Sequence, residues 1–244
     1  MEQLSYNISK QENISSKVSV LKCTSINDVS SLLKDLKPNK INFINLGLQN
    51  YMETWELQKK IHNKNKNSEI PDVVLFLEHN NVYTFGKNAD KDFLLGTHPK
   101  AEVVETDRGG QVTYHGPGQR IIYVMLDLNN REKDIRKYIY TLENWMITSL
   151  DKIDIKAYTV KNRIGLWVKG PKGESKIGAI GVRISKWITS HGISININPD
   201  LSNYNGIIPC GLKEYPITSI RELDSKIEMH EFDDIIKQTA KNFF

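Results

Sequence analysis

A chain of 244 residues with 39% hydrophobic and 25% charged residues has the balance of an ordinary soluble globular protein, which excludes fibrous, collagenous and disordered classes. The 33 Lys and Arg against 29 Asp and Glu leave a net charge of +4. That suits an acidic protein partner, but a solvated surface of no consequence explains it better, and it forms no concentrated basic stripe of the kind nucleic acid requires. No apolar run approaches the ~20 residues of a bilayer span, so no membrane association is expected.

The first 19 residues are polar, contain Glu2 and Glu12, and lack the apolar core of a secretory leader. Residues 1–18 are expected to be a loosely held tail, followed by one domain over 19–244 in the cytoplasm. A helix is predicted over 50–62, with Leu48, Met52 and Trp55 as its apolar stripe, then a charged, amide-rich loop over 62–69 closed by Pro71. Residues 73–77 are continuously apolar and read as a strand buried on both faces. A short strand over 82–85 ends at Gly86, and another at 103–104 leads into Asp107-Arg108-Gly109-Gly110. A long apolar strand follows over 121–128. The clearest helix places Ile135, Tyr138, Ile139, Leu142, Trp145, Met146 and Leu150 at helical spacing. Strands are predicted near 155–160, 164–168, 177–184 and 187–197, the last two joined as a hairpin through Ser185-Lys186. A final helix over 231–244 aligns Phe232, Ile235, Ile236, Ala240 and Phe243. Without repeats or a Pro/Gly-rich linker, this order describes one α/β (α+β) domain with a mixed sheet flanked by helices.

Three segments place costly residues in irregular backbone. From Arg108 to Gly118 there are four glycines in eleven residues, which permit close approach to a ligand and can aim amide N–H groups at a carbonyl or phosphate. Within this run, His115 could bond a substrate or simply a neighbouring strand. Lys176 directly precedes the apolar run from Ile177. Burial would make its amine a base, whereas snorkelling from a strand end would make it ordinary. In Ser190-His191-Gly192-Ile193-Ser194, Gly192 again allows a close backbone approach. Cys210 lies between Pro209 and Gly211, a turn setting that favours an accessible thiol, while Cys23 follows an alternating stretch and is expected to pack. The two cysteines have neither C-x-x-C spacing nor nearby ligands for zinc, so no metal is expected. The chain contains no G-x-S-x-G elbow, H-E-x-x-H motif or Walker phosphate loop.

Taken in order, these segments resemble the octanoyl-acyl-carrier-protein–protein N-octanoyltransferases, also called lipoyl(octanoyl) transferases. The resemblance runs from about Leu46 to Glu222. It rests on Leu46-Gly47, Gln58, Leu77-Glu78-His79, Tyr83-Thr84-Phe85-Gly86, the run Arg108 to Gln119, Lys176 to Arg183, His191-Gly192, Asn196 and Pro209-Cys210-Gly211. It implies a single acyltransferase catalytic domain with the fold of biotin protein ligases and lipoate ligases. It also implies a two-step transfer with Cys210 as nucleophile and Lys176 as its base, needing no cofactor, no metal and no ATP. The donor would be octanoyl-acyl carrier protein. The acceptors would be lipoyl domains of 2-oxoacid dehydrogenases and the glycine cleavage H protein. Substrate-binding positions implied are Arg108, Gly109, Gly110, Gln111, Val112, Thr113, Tyr114 and His115, with Ala179, Ile180, Gly181, Gly192, Ile193 and Ser194. Oxyanion donors are sought among the amides of Gly109-Gly110, Ala179 to Gly181 and Gly192 to Ser194. His115 would orient substrate, and Ile180 with the wall near Tyr114 would form the acyl slot. Two departures stand out: Gly178 replaces an expected alanine, implying a slightly looser strand, and a polar extension precedes Leu46. A lipoate–protein ligase would share the fold but activate a free acid with ATP, and it would have no use for Pro209-Cys210-Gly211. A scaffold that only binds carrier or lipoyl domains would have no use for Lys176 with Cys210.

Overall fold

A computed structural model describes residues 18–23, 26–96, 101–211 and 214–244, with Lys22, Asn27 and Cys210 described in their backbone alone. The expected polar tail lies outside these residues except for Val18, which opens the first strand. In chain order the strands are β1 (Val18–Lys22), β2 (Ile41–Gln49), β3 (Val73–His79), β4 (Val82–Phe85), β5 (Glu102–Glu105) and β6 (Thr113–His115). They continue as β7 (Gln119–Met125), β8 (Tyr158–Val160), β9 (Arg163–Gly170), β10 (Gly173–Ser185) and β11 (Ile188–Asn196). The α-helices are α1 (Val29–Leu32), α2 (Tyr51–Lys66), α3 (Ile135–Asp151) and α4 (Met229–Ala240).

The described strands form an eight-stranded sheet in the order β1-β2-β3-β7-β11-β10-β9-β8 and a three-stranded sheet in the order β5-β4-β6. In the large sheet β1, β2 and β3 run parallel and every later pairing is antiparallel, the mixed architecture expected from the sequence. Its centre, β3 and β7, is buried on both faces because helices cover both. Side-chain alternation sorts the two cores. Val73, Leu75, Leu77, Ile121, Tyr123 and Met125 pack with Leu57 and Ile61 of α2. Val74, Phe76, Ile122 and Val124 pack with Leu142, Trp145 and Met146 of α3 and Phe232 and Ile236 of α4. Among the described residues, no helix is long and apolar enough to cross a membrane.

α2 differs from expectation in length and in its buried face. Asn50 caps it through a bond from the Glu53 N–H, and it continues through the expected loop to Lys66. The Asn-Lys run there contains no glycine or proline, and Asn65 is buried and donates to the Pro71 carbonyl at 3.3 Å. The helix ends where Ser68 turns left-handed (φ 57°), with N–H bonds from Ser68 to Asn65 O and from Glu69 to Lys64 O closing a Schellman motif. The inward face is Tyr51, Thr54, Leu57, Gln58 and Ile61. Met52 is largely exposed, and Leu48 is exposed on β2. The β10–β11 hairpin forms as expected, but its two-residue turn is Lys186-Trp187, both at positive φ, one residue later than Ser185-Lys186, because Ser185 still pairs with Ile188.

One buried ion pair crosses from sheet to helix: Arg120 of β7 donates from Nε to Asp233 Oδ1 at 2.7 Å and from Nη2 to Oδ2 at 2.9 Å. Burial pushes the Asp233 carboxyl above its ordinary range even though Arg120 pulls it down. Desolvation therefore outweighs attraction, as is common for such pairs. Asp233→Ala should destabilise the fold by about 3–5 kcal/mol in urea unfolding, because it strands the guanidinium. The double replacement Arg120→Met with Asp233→Leu should recover most of that loss.

Candidate active site

A cleft forms where β10 outruns β9. The last β9 pairing is Gly178 with Leu166, after a bulge between Lys176 and Gly178, while β10 continues alongside β11 to Ser185. The Gly-rich loop takes over the vacated edge through one bond, Gly109 N–H to Val182 O at 3.0 Å. A narrow slot results. Ala179, Ile180 and Gly181 form one wall, and Gly192, Ile193 and Ser194 a second. Arg108, Gly110 and Gln111 join Thr113 and His115 to form the third, with Tyr51, Ile121 and Tyr123 also lining the slot. Most of the residues expected to bind substrate thus line this one slot.

Several expected residues have other positions or duties. Strand alternation in and before β6 sends Thr113 and His115 toward the slot. Val112 and Tyr114 go the other way, into the small-sheet core with Tyr83, Phe85 and Ile207. Tyr114 is therefore not a wall of the slot, and its hydroxyl donates to Asn81 Oδ1 at 2.6 Å. Gly109 spends its N–H on Val182. Because the Val182 carbonyl points out of the β10–β11 ladder, Ile180, two residues earlier, points its amide the same way. The amides of Ala179 and Gly181 face β11 instead. Those of Gly192 and Ser194 face β10 and that of Ile193 faces β7, so all three are used within the sheet. Gly110 and Ile180 remain as backbone donors on the slot side.

Arg108 is a clamp for the loop. Its Nη2 donates to Thr84 O at 2.6 Å and to Thr84 Oγ1 at 2.8 Å, and its Nη1 donates to the Gly109 carbonyl at 2.9 Å. Gly178 does not loosen its strand: an added Cβ would come within 2.7 Å of Ile195 and 2.9 Å of both Leu166 and the Ser194 carbonyl, so glycine is what the packing admits.

Lys176 lies within β10, not before it, and is only 5% exposed. Its Nζ donates to Ile164 O at 3.0 Å and sits 5.5 Å from the Trp167 ring centroid. Glu143 of α3 accepts the Gly165 N–H at 3.1 Å. Burial raises its carboxyl pKa, while Gly165 and the charge of Lys176 partly offset that. The turn Pro209–Gly211 that carries Cys210 is held on both sides. Ile208 N–H bonds to Phe93 O at 2.8 Å, and beyond the turn Lys176 N–H bonds to Pro216 O at 2.9 Å. Gly211 is left-handed (φ 70°) with the Phe93 ring 2.9 Å from where a Cβ would be, so no larger residue fits the turn. Lys176 and Pro209 line one small cavity, which shares Thr113, Ala179 and Ser194 with the slot.

Two buried imidazoles flank the slot. His79 donates from Nδ1 to Gln49 O at 3.0 Å and accepts the Tyr123 hydroxyl at Nε2 at 2.7 Å. His115 donates from Nδ1 to Gln119 Oε1 at 2.6 Å, and Gln119 is oriented by its own donation to Asn196 Oδ1 at 2.9 Å. Burial holds both rings neutral, with pKa values pulled down to about 4 for His79 and about 3 for His115. Several residues the resemblance singled out prove to be supports: Gln58 Oε1 accepts the His191 N–H at 2.9 Å, and Glu78 Oε2 accepts the Gly118 N–H at 2.7 Å.

Residues 50–241 match the lipoyl protein ligase A/B catalytic domain. The chain is 47% identical over 208 residues to an octanoyltransferase of Rickettsia prowazekii, covering 84% of this chain and 99% of that one. It is 46% identical to the octanoyltransferase of Rickettsia felis, with the same coverage. The chain is a member of the octanoyltransferase family. Its fold is similar to that of a bipartite lipoate protein ligase from Thermoplasma acidophilum (TM-score 0.63, 13% identity, 82% of each chain). It is also similar to a biotin protein ligase from Aquifex aeolicus in complex with biotin and ATP (TM-score 0.51, 15% identity, 83% of this chain and 70% of that one). Identities this low speak to the fold alone.

In this family member the two neutral histidines tie stability to pH. The unfolded chain protonates them near their ordinary pKa of 6.5, whereas the folded chain resists until about 4 and about 3. Stability is therefore fully present above about pH 6.5 and falls as the pH drops through that value. Each ring should cost about 2 kcal/mol by about pH 5. Urea midpoints measured across this range should fall in the wild type and fall less steeply in His79→Gln and His115→Gln.

Proposed function

We propose that this acyltransferase moves an octanoyl group from octanoyl-acyl carrier protein to the acceptor lysine of lipoyl domains, through a thioester on Cys210. Acceptors in this reading are the lipoyl domains of 2-oxoacid dehydrogenases and the glycine cleavage H protein, all in the cytoplasm. The observation that carries the reading is that the cavity lined by Lys176 and Pro209 adjoins, across Thr113, Ala179 and Ser194, the slot lined by Ala179, Ile180 and Ile193. A reacting head and a hydrocarbon tail need adjoining places of these two kinds.

In the first half-reaction Lys176 Nζ accepts the Cys210 thiol proton, and the sulfur attacks the thioester carbonyl carbon. A new C–S bond forms, the bond to the carrier's sulfur breaks, and that thiolate leaves with the proton returned from Lys176. In the second, the acceptor amine attacks the acyl-enzyme carbonyl. The C–N bond forms as the bond to Cys210 breaks, and the amine's surplus proton passes through Lys176 to the cysteine sulfur. The amide of Ile180 is suited to the developing oxyanion, since it is not used inside the β10–β11 ladder. Thioester exchange is nearly isoenergetic and amide formation runs downhill, so neither step calls for ATP.

Intact-protein mass spectrometry after mixing with octanoyl-acyl carrier protein, without ATP, should show a gain of one octanoyl group that apo lipoyl domain discharges. Cys210→Ala should abolish the adduct and Cys23→Ala should not. Lys176→Ala should fold and lose about 10²-fold or more in transfer rate. Unchanged turnover in that variant would remove Lys176 from the mechanism. Transfer that requires free octanoate and ATP would replace this reading with a ligase.

A further inference from the structure

His191 is held in an unusual way for a strand residue. It lies within β11 yet has φ 58°, a conformation that non-glycine residues adopt only when their surroundings impose it. Its N–H is taken by Gln58 of α2, and its Nε2 donates to Asp107 Oδ1 at 2.8 Å. Asp107 is itself paired to Arg183 of β10 at 2.9 Å. The residue is 2% exposed, and its Nδ1 is buried without a hydrogen-bond partner among the described residues.

The position of the ring is as telling as its restraint. On its far side from Ile193 opens a second cleft of about 340 Å³, between α2 and the β10–β11 hairpin, lined by Trp55, Gln58 and Arg183 among others. His191 is the one described residue common to the linings of slot and cleft. On either side of it the chain divides cleanly: Gly192 lines the slot and Ser190 the cleft, while Arg108 lines the slot and Asp107 the cleft. The imidazole is therefore the partition between them.

We infer that His191 is the end stop of the acyl slot and sets the length of chain the enzyme accepts. The inference rests on the proposed reading, in which the reacting carbonyl lies at the Lys176 end and the tail runs along β10 and β11. From Gly178 to Val182, whose partner in β11 is His191, is four strand intervals, about 13 Å. That is the scale of an extended medium-chain acyl group with its thioester. A longer chain would have to push the ring aside against Asp107 and bury the unpaired Nδ1 against methylenes. Behind the ring, space is already available.

The test is His191→Gly, which removes the ring and suits the positive φ, assayed beside wild type with acyl-carrier thioesters of graded length from eight to fourteen carbons. Thermal melting checks the fold. Acyl-enzyme mass and kcat/KM are read for each chain. The ratio of twelve-carbon to eight-carbon kcat/KM should rise on the order of tenfold or more, the discrimination a pocket end exerts over added methylenes. Asp107→Ala, which keeps the ring but releases its tether, should shift the profile the same way by less. It serves as the second reading where the glycine variant folds poorly. A wild type that loads octanoate while both variants keep its length profile overturns the inference alone, as does a uniform loss at every length. A wild type that loads no acyl group overturns the proposed function, and the end stop with it.

Discussion

The bond between the Gly109 N–H and the Val182 carbonyl is the constraint on which the cleft depends. β10 loses its partner β9 after Gly178, and an uncovered strand edge would otherwise present unpaired backbone groups. Capping that edge with a loop at one residue, not a full strand, leaves a gap where a ladder would have been. The Arg108 clamp on Thr84 ties the same loop to the small sheet. The position of the three-stranded sheet, the course of the loop and the width of the slot all follow from where this contact is made.

Around the gap the protein surrounds an apolar passage with polar rings that carry no charge. Burial keeps His79 and His115 neutral, and it also raises the Tyr123 hydroxyl well above its ordinary pKa. Each ring has its hydrogen supplied or accepted by a neighbour, so the dipoles are fixed before anything binds. At the head of the passage Lys176 rests its Nζ on a carbonyl oxygen and an aromatic face, with the Glu143 carboxyl behind it.

Much of this was legible in the sequence because burial on both faces leaves a continuous apolar run. The strands around Val74 and Ile122 and the helix carrying Leu142 and Trp145 were found that way. β2 went unseen because Asn42, Asn45 and Gly47 interrupt its pattern. The Asn42 side chain is wholly buried and bonds to the backbone of Lys37, Lys40 and Asp72, which no periodicity reveals. The helix end at Lys66 was missed because Asn and Lys on a solvent face look like loop. The Gly-rich run identified the slot, but treating it as one unit overlooked that alternate residues point oppositely, which sends Val112 and Tyr114 into a different core. His191 stands in the sequence only as part of the His191-Gly192 motif, with no role of its own attached to it. Its role depends on Asp107, 84 positions away, and on a backbone angle that the fold imposes.

That distance has a consequence for how the molecule comes into being. The slot's walls come from segments around 108–115, 179–181 and 192–194, and the turn before Gly211 is tied back to Phe93. Apart from the pairing within the β10–β11 hairpin, these contacts are not local, so each must wait for a long loop to close before it contributes any stability. The central strands and their helices can collapse on apolar burial alone, but the passage cannot exist until the chain has been threaded through most of its length. The slot is therefore complete only once the chain has been made as far as Gly211 and the last of these long-range closures has formed.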